Sequence, residues 1–215
     1  MSYKLYFDGA CLPVNPNGIC VSGFCLMEDK DIIGSNCEVV KEKGTNNFAE
    51  YMGVILGLEE IVKRNIKKIN IYGDSALVVN QLNGTWAVKS DNIVPLVNRA
   101  DLLLRKINKY SLKWVPREKN KIADRLVHET YINYAEQESL NRSKKISFAN
   151  IKEIDVSKFI VSGTDDYFVD IRNNTCTCPH FKRINSYYLL RRSNITLRCK
   201  HILRVIEKIG SKPRI

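Results

Sequence analysis

The chain has 215 residues, 44% of them hydrophobic and 27% charged, with a mean hydropathy of −0.24. This excludes a disordered, fibrous or membrane-spanning chain, because no apolar run approaches the ~18 residues a spanning helix needs. The net charge of +11 is uneven: residues 1–140 carry 18 basic and 17 acidic side chains, residues 141–215 carry 16 and 6, so the final third points to a polyanionic partner, most often nucleic acid.

In chain order, residues 3–8 alternate as a strand does, with Asp8-Gly9-Ala10 expected to end the run. Pro13, Asn15, Pro16 and Gly18 mark a turn. Residues 19–27 and 31–40 read as two further strands of an antiparallel meander. Asn47 reads as an N-cap, with Glu50 three residues later in capping-box position, for a helix running to about Asn65. A strand follows over 68–74, a short helix over Ser75–Leu82 broken by Gly84, and an amphipathic helix over 91–109. Residues 111–115 read as a fifth strand stopped by Pro116, and a last helix runs from about Asn120 to Leu140. The order βββαβααβα is mixed α/β. Beyond it, 158–163 and 166–172 read as a hairpin and 200–209 as a helix. The expected division is a domain over 1–140, a linker over 141–150 and a small module over 151–215. Asp8 falls where a signal peptide would need its apolar stretch, so a cytoplasmic protein with reduced cysteines is expected.

Four acids stand in awkward places. Asp8 follows Leu5-Tyr6-Phe7 in a strand, where an unpaired buried carboxylate is costly. Glu50 shares a helical row with Val54, Gly57 and Ile61 and so faces inward. Asp74 closes the strand at Ile71-Tyr72-Gly73, and Asp124 lies among Ile122, Ala123 and Leu126. Each has a structural reading: Glu50 completes the capping box, Asp8 and Asp74 are turn residues, Asp124 is a helix-dipole acid or a partner of His128. Together they fit a cluster for Mg²⁺ or Mn²⁺, since hard carboxylate oxygens suit those ions.

Residues 3–135 resemble type 1 ribonuclease H, particularly its archaeal-like branch. The matching stretches are Tyr6-Phe7-Asp8-Gly9, Asn15-Pro16, Thr45-Asn46-Asn47-Phe48-Ala49-Glu50-Tyr51, Gly73-Asp74-Ser75, and Trp114-Val115-Pro116-Arg117-Glu118-Lys119-Asn120 leading to Ala123-Asp124. The resemblance implies a mixed five-stranded sheet with flanking helices, and an endonuclease that hydrolyses the RNA strand of RNA–DNA hybrids. It implies that Asp8, Glu50, Asp74 and Asp124 hold two divalent ions, one activating water and the other stabilising the leaving oxygen. Asn15, Asn46 and Asn47 match positions that contact the hybrid backbone, Asn47 with the N-cap role beside it. There are departures. Asn17 stands where a glycine is commoner and would need φ > 0, and Ala76 replaces a frequent Gln. The loop before the last helix has no His, leaving Arg117 or Glu118 to substitute. The basic protrusion of many relatives is missing between Gly84 and Asp91. Rival readings are a same-fold nuclease acting on double-stranded RNA or DNA junctions, and a catalytically silent nucleic-acid-binding protein.

In the basic third, Cys176-Thr177-Cys178-Pro179 is followed after 20 residues by Cys199-Lys200-His201. Three thiolates and an imidazole make a complete tetrahedral zinc set, with His180 a rival ligand of poorer spacing. The pattern, with Phe181 after the pair and Ile202-Leu203 after the His, resembles a SWIM zinc finger over about 155–210, expected as a ββα module with one structural Zn²⁺. So small a fold needs such a staple. Lys182, Arg183, Arg191, Arg192 and Arg198, with Tyr187 and Tyr188, favour phosphate contacts and stacking, so the finger is expected to replace the missing protrusion. No membrane partner is expected, and the chain is expected to be a monomer. Cys11, Cys20, Cys25 and Cys37 lack zinc-like spacing and read as small buried hydrophobes. Trp86 and Trp114 read as core or rim.

Overall fold

The structure, a computed structural model, describes residues 2–190 and 195–210, without the side chains of 187–190. Its contacts divide the chain into Met1–Tyr131 and Ile132–Ile215. Among the described residues no helix is long and apolar enough to cross a membrane.

The first unit holds strands β1 (Tyr3–Leu12), β2 (Gly18–Glu28) and β3 (Asp31–Gly44), helix α1 (Asn46–Lys63), β4 (Lys68–Gly73), α2 (Ala76–Leu82), α3 (Val94–Leu104) and β5 (Lys109–Trp114), then the start of α4 (Lys121–Ser143). The sheet order is β3-β2-β1-β4-β5. β1 pairs antiparallel with β2, and β2 with β3, while β1, β4 and β5 run parallel. This is the mixed five-stranded sheet expected. In its main core Leu5, Phe7, Leu26, Tyr51, Ile55, Leu58 and Ile71 are fully buried.

Several boundaries differ from expectation. β1 does not end at Asp8: it continues to Leu12, paired through to Ile19, because β2 is long enough to carry the ladder past the carboxylate. Helix α1 is capped by Thr45, whose hydroxyl accepts from the Phe48 N–H, and Asn47 lies inside the helix. The capping box is therefore absent, which leaves Glu50 for another role. The helix expected over 91–109 shortens to Val94–Leu104, with Pro95 in its first turn, where a proline's missing N–H costs nothing. Asn17 does take φ 72°, a left-handed conformation that Asn tolerates.

The second unit contains β6 (Ile151–Asp155), β7 (Lys158–Val161), β8 (Tyr167–Asp170), β9 (Thr175–Cys176), α5 (Pro179–Leu190) and α6 (Lys200–Gly210). The hairpin and final helix are present as expected; β6 and β9 extend the hairpin into a four-stranded antiparallel sheet of order β6-β7-β8-β9, and α5 is added beside it. Residues 141–150 hold the end of α4, a turn, and a short 3-10 turn over Phe148–Asn150. Arg204 and Lys208 of α6 donate to the carbonyls of Ile146 and Phe148, at 2.7 and 2.9 Å. Arg191 and Arg192, and the side chains of Tyr187 and Tyr188, lie outside the described residues.

Candidate active site and metal centre

The parallel register of β1 and β4 sets Phe7 opposite Gly73, so the next residues, Asp8 and Asp74, stand side by side. Helix α1 is brought onto β1 at this point because glycines remove the obstructing side chains. A Cβ on Gly9 would lie 2.2 Å from the Ala49 carbonyl carbon, and one on Gly53 would lie 2.4 Å from the Asp8 carbonyl oxygen. That approach carries Glu50 over the strand. One ligand oxygen each from Asp8, Glu50 and Asp74 lies within 4.8 Å of the others.

Three carboxylates this close repel one another, and the protein does little to soothe them. Glu50 Oε2 is buried and accepts no hydrogen bond among the described residues. Asp8 is 5% exposed. Burial first, then the charges of Asp74 and Asp124, push its carboxyl up to about 7, against the Gly9 N–H and Arg117, which lower it. Burial and the charges of Asp8 and Asp74 raise Glu50 well above the usual carboxylate range. A buried, like-charged, under-bonded oxygen set is what a hard divalent cation satisfies, so the residues fit such an ion.

Asp124 stands outside that three-residue cluster. It sits in the first turn of α4, forms an ion pair with Arg117, and lies 3.7 Å from His128 Nε2. Arg117 also approaches His128 Nε2 at 3.2 Å. Sequence reasoning gave Asn120 no role at the site. Its side chain is fully buried, and its Nδ2 donates to the Phe7 carbonyl at 2.8 Å and to Asp74 Oδ1 at 2.7 Å. One amide thus ties the strand before Asp8 to the Asp74 carboxylate. The available signal was a polar residue at the start of α4, two positions before the apolar pair Ile122-Ala123. Trp114 lies on the rim, half exposed, its indole donating to the Asp74 carbonyl at 3.0 Å.

The three asparagines expected to touch substrate divide in two. The Asn46 N–H donates to Asn15 Oδ1 at 3.0 Å, and Asn46 Oδ1 accepts from the Cys11 N–H at 2.7 Å. These two side chains therefore pin the turn after β1 to the start of α1. Asn47 is exposed and lines a groove of about 380 Å³ with Lys41, Lys43 and Thr45. The two lysines were not singled out from sequence; their signal was alternation, which puts Lys41 and Lys43 on one face at the end of β3. Helix N-termini favour anions, and here the groove adds two cations.

In the second unit, ligand atoms of Cys176, Cys178, Cys199 and His201 lie within 4.8 Å of one another, all buried. β9 supplies Cys176, the turn before α5 supplies Cys178, and the first turn of α6 supplies His201. The sulfurs already receive donors: the Phe181 N–H to Cys178 at 3.3 Å and the Cys178 N–H to Cys176 at 3.5 Å. Hydrogen bonds from Cys176 and Cys199 hold the Cys178 thiol well below its ordinary value. The His201 ring stacks on Tyr167 at 4.7 Å between centroids, which fixes its plane. Soft donors in a closed set of four fit Zn²⁺. His180 does not join them; its Nδ1 is buried without a hydrogen-bond partner among the described residues, and burial pushes its pKa down to about 4. Of the remaining cysteines, Cys11, Cys20 and Cys25 are buried and Cys37 is partly so, all as free thiols.

Residues 6–130 match the reverse transcriptase-like family and residues 159–210 match the SWIM zinc finger family. The bifunctional protein Rv2228c of Mycobacterium tuberculosis is 38% identical over 104 residues, which is 48% of this chain and 26% of that protein. The solved structure of RNase H1 from the archaeon Halobacterium salinarum is 32% identical with a TM-score of 0.58, covering 62% of this chain and 99% of that one. LC11-RNase H1, solved in complex with an RNA/DNA hybrid, is 25% identical with a TM-score of 0.55, covering 60% and 95%. The chain spans about a quarter of the length of its mycobacterial relatives.

Proposed function

Because the chain belongs to the reverse transcriptase-like family, with the ribonuclease H fold and a SWIM zinc finger, we propose that it is a metal-dependent endoribonuclease that hydrolyses the RNA strand of RNA–DNA hybrids. The observation that carries the reading is the cluster of Asp8, Glu50 and Asp74, with the buried Glu50 oxygen left without a hydrogen bond. A nucleic acid partner accords with the hybrid bound to LC11-RNase H1.

Asp8, Glu50 and Asp74 would hold two Mg²⁺ or Mn²⁺ ions, with Asp124 beside them. Ions held there would supply Lewis acidity, activating water at neutral pH and stabilising charge at the scissile phosphate. The rest is the protein's own work. Asn120 fixes the Asp74 carboxylate by its short hydrogen bond. Arg117 holds Asp124 and lowers the repulsion on Asp8 and Glu50. Asn47, Thr45, Lys41 and Lys43 offer donors and positive charge for the substrate backbone, where a 2′-hydroxyl distinguishes RNA from DNA. Cys176, Cys178, Cys199 and His201 would hold one structural Zn²⁺ that fixes the basic module, and the module adds affinity through phosphate contacts.

The test is cleavage of matched RNA–DNA, RNA–RNA and DNA–DNA duplexes in Mg²⁺ and in Mn²⁺, with Asp8→Asn and Asp74→Asn alongside. Metal-dependent cutting confined to the RNA strand of the hybrid, and lowered in both variants by about 10²–10³-fold, is the expected result. Cutting of double-stranded RNA or DNA at equal rate overturns the substrate assignment. Tight binding without metal-dependent cutting overturns the enzyme.

A further inference from the structure

The sheet of the second unit has two unlike faces. Phe159, Val161 and Val169 are buried, and the register places Phe159 opposite Val169 and Val161 opposite Tyr167, the residue that stacks on His201. That face covers the zinc set. Alternation sends Ile160 and its partner Phe168 to the opposite face. There Phe168 is 54% exposed and Ile154 is 53% exposed, and Val156 in the β6–β7 turn is 80% exposed. Two large apolar side chains bared on one small sheet, Phe168 and Ile154, with Val156 exposed in its turn, call for a ligand, since soluble proteins keep such patches small. A groove of about 420 Å³ runs along the face, and Phe168, Phe181, Lys158 and Lys182 line it.

The lysines decide the ligand. Lys152, Lys158 and Lys182 are exposed around the apolar strip. The two acids that flank Lys158 in the register, Asp155 and Asp170, are already engaged: Asp155 Oδ1 accepts from the Val156 N–H, and Asp170 accepts from the Arg172 and Asn173 N–H groups and from Asn173 Nδ2. Thr177 is occupied as well, its hydroxyl accepting from the Phe168 N–H at 3.0 Å. The face therefore presents an aromatic ring, aliphatic surface and cations, with little that could read a base edge. Those are the requirements for stacking unpaired bases while ammonium groups follow the backbone. A four-stranded sheet carrying exposed aromatics is a known solution for single strands. A duplex stacks its bases on one another and offers Phe168 no ring.

We infer that the outer face of β6–β9, centred on Phe168 with Lys158 and Lys182, is a binding platform for single-stranded nucleic acid without sequence preference. The inference rests on the proposed nucleic acid role of the basic module and extends it. The platform captures the unpaired tail that flanks a hybrid, so hybrids with such tails are the preferred substrates.

Fluorescence anisotropy of a labelled twelve-nucleotide oligo(dT), titrated with the zinc-loaded full chain at several salt concentrations, tests it. Oligo(dT) is not cleaved, so binding is read alone. Phe168→Ala is expected to weaken binding about 5–150-fold, the scale of one lost base stack. Phe168→Trp should bind within about twofold of wild type. Lys158→Ala with Lys182→Ala should lower the salt slope by about 1.4, at 0.7 per single-strand phosphate contact. Cleavage of a blunt-ended hybrid should be unchanged in the two Phe168 variants, and retained zinc stoichiometry shows that each variant is folded. If the wild-type chain shows no salt-dependent binding, the nucleic acid role of the module fails and the platform with it. If it binds but Phe168→Ala and the lysine pair bind equally well, the platform alone is overturned, and the bared face belongs to an apolar protein segment.

Discussion

The carboxylate cluster of the first unit is set into a sheet and helix that bury Leu5, Phe7, Ile55, Leu58 and Ile71 completely. The thiol and imidazole cluster of the second unit is itself the centre of a fold whose strands are two to five residues long. In the first unit an ion would bind a site that the core has already paid to assemble, with repulsion left over in Asp8 and Glu50. In the second, Cys176, Cys178, Cys199 and His201 are among the few buried groups that join β9, α5 and α6. The same kind of event, metal capture, should thus perform chemistry in one place and hold structure in the other.

The largest effect that could break this comparison is loss of zinc. Chelation, or Cys178→Ser, should unfold the second unit, because binding energy of about 10 kcal/mol or more is folding energy in such modules. Limited proteolysis should then cut within 146–210 while the first unit stays intact. A second unit that resists protease after complete zinc removal would show that Phe159, Val161, Val169, Leu197 and Ile202 suffice as a core.

The next effect is smaller and opposite in sense. Asp8 has its carboxyl raised from an unfolded value near 4 to about 7 in the metal-free protein. Below pH 4 both states are protonated and the group contributes nothing. Between pH 4 and 7 the unfolded chain sheds the proton and the folded chain keeps it, so stability falls as pH rises. At about 1.4 kcal/mol per unit the fall amounts to roughly 4 kcal/mol. Asp8→Asn should remove it, leaving a variant more stable than wild type at pH 7 in metal-free buffer and equal near pH 4. Mg²⁺ should raise the wild-type Tm and leave that of Asp8→Asn nearly unmoved. A thermal scan across pH with and without Mg²⁺ checks all three, and a wild-type protein whose metal-free stability rises from pH 4 to 7 would contradict the repulsive cluster.

Much of the first unit was legible because its signals are local or periodic. The row Glu50, Val54, Gly57, Ile61 placed the glutamate on the inner face of α1, and alternation over residues 3–8 marked the strand that carries Asp8. The cap was misread because both Thr45 and Asn47 are good N-caps, and only the chain's path chooses between them. Thr45 wins because Asn46 must already be in place, its side chain taking the Cys11 N–H, a contact 35 residues distant in sequence. Length misled at β1: glycine after an aspartate resembles a turn, but Gly9 is there so that Ala49 can approach. In the second unit the cysteine spacing announced the cluster of Cys176, Cys178, Cys199 and His201, while β6 and β9 did not show. β9 is too short for any period, and β6 has one buried residue in five.

Asn120 shows the same limit at the site itself, and it carries the smallest predicted effect. Its motif was visible, but its partners, Phe7 and Asp74, lie 113 and 46 residues away, and no local pattern links them. Removing the amide leaves the Phe7 carbonyl and an Asp74 oxygen without their donor in a buried setting. Asn120→Ala should therefore cost about 1–3 kcal/mol. A core trim such as Ile55→Val costs a comparable amount, about 1 kcal/mol, so stability alone does not separate a positioning residue from a packing one. The Mg²⁺ requirement does. Groups that orient a metal's ligands typically alter affinity or activity about 10–100-fold when lost. Half-maximal cleavage by Asn120→Ala should thus need about tenfold more Mg²⁺ or above, with Ile55→Val unchanged from wild type. Equal Mg²⁺ dependence in the two variants would reduce Asn120 to a brace between β1 and β4, and would leave Asp74 held by its strand alone.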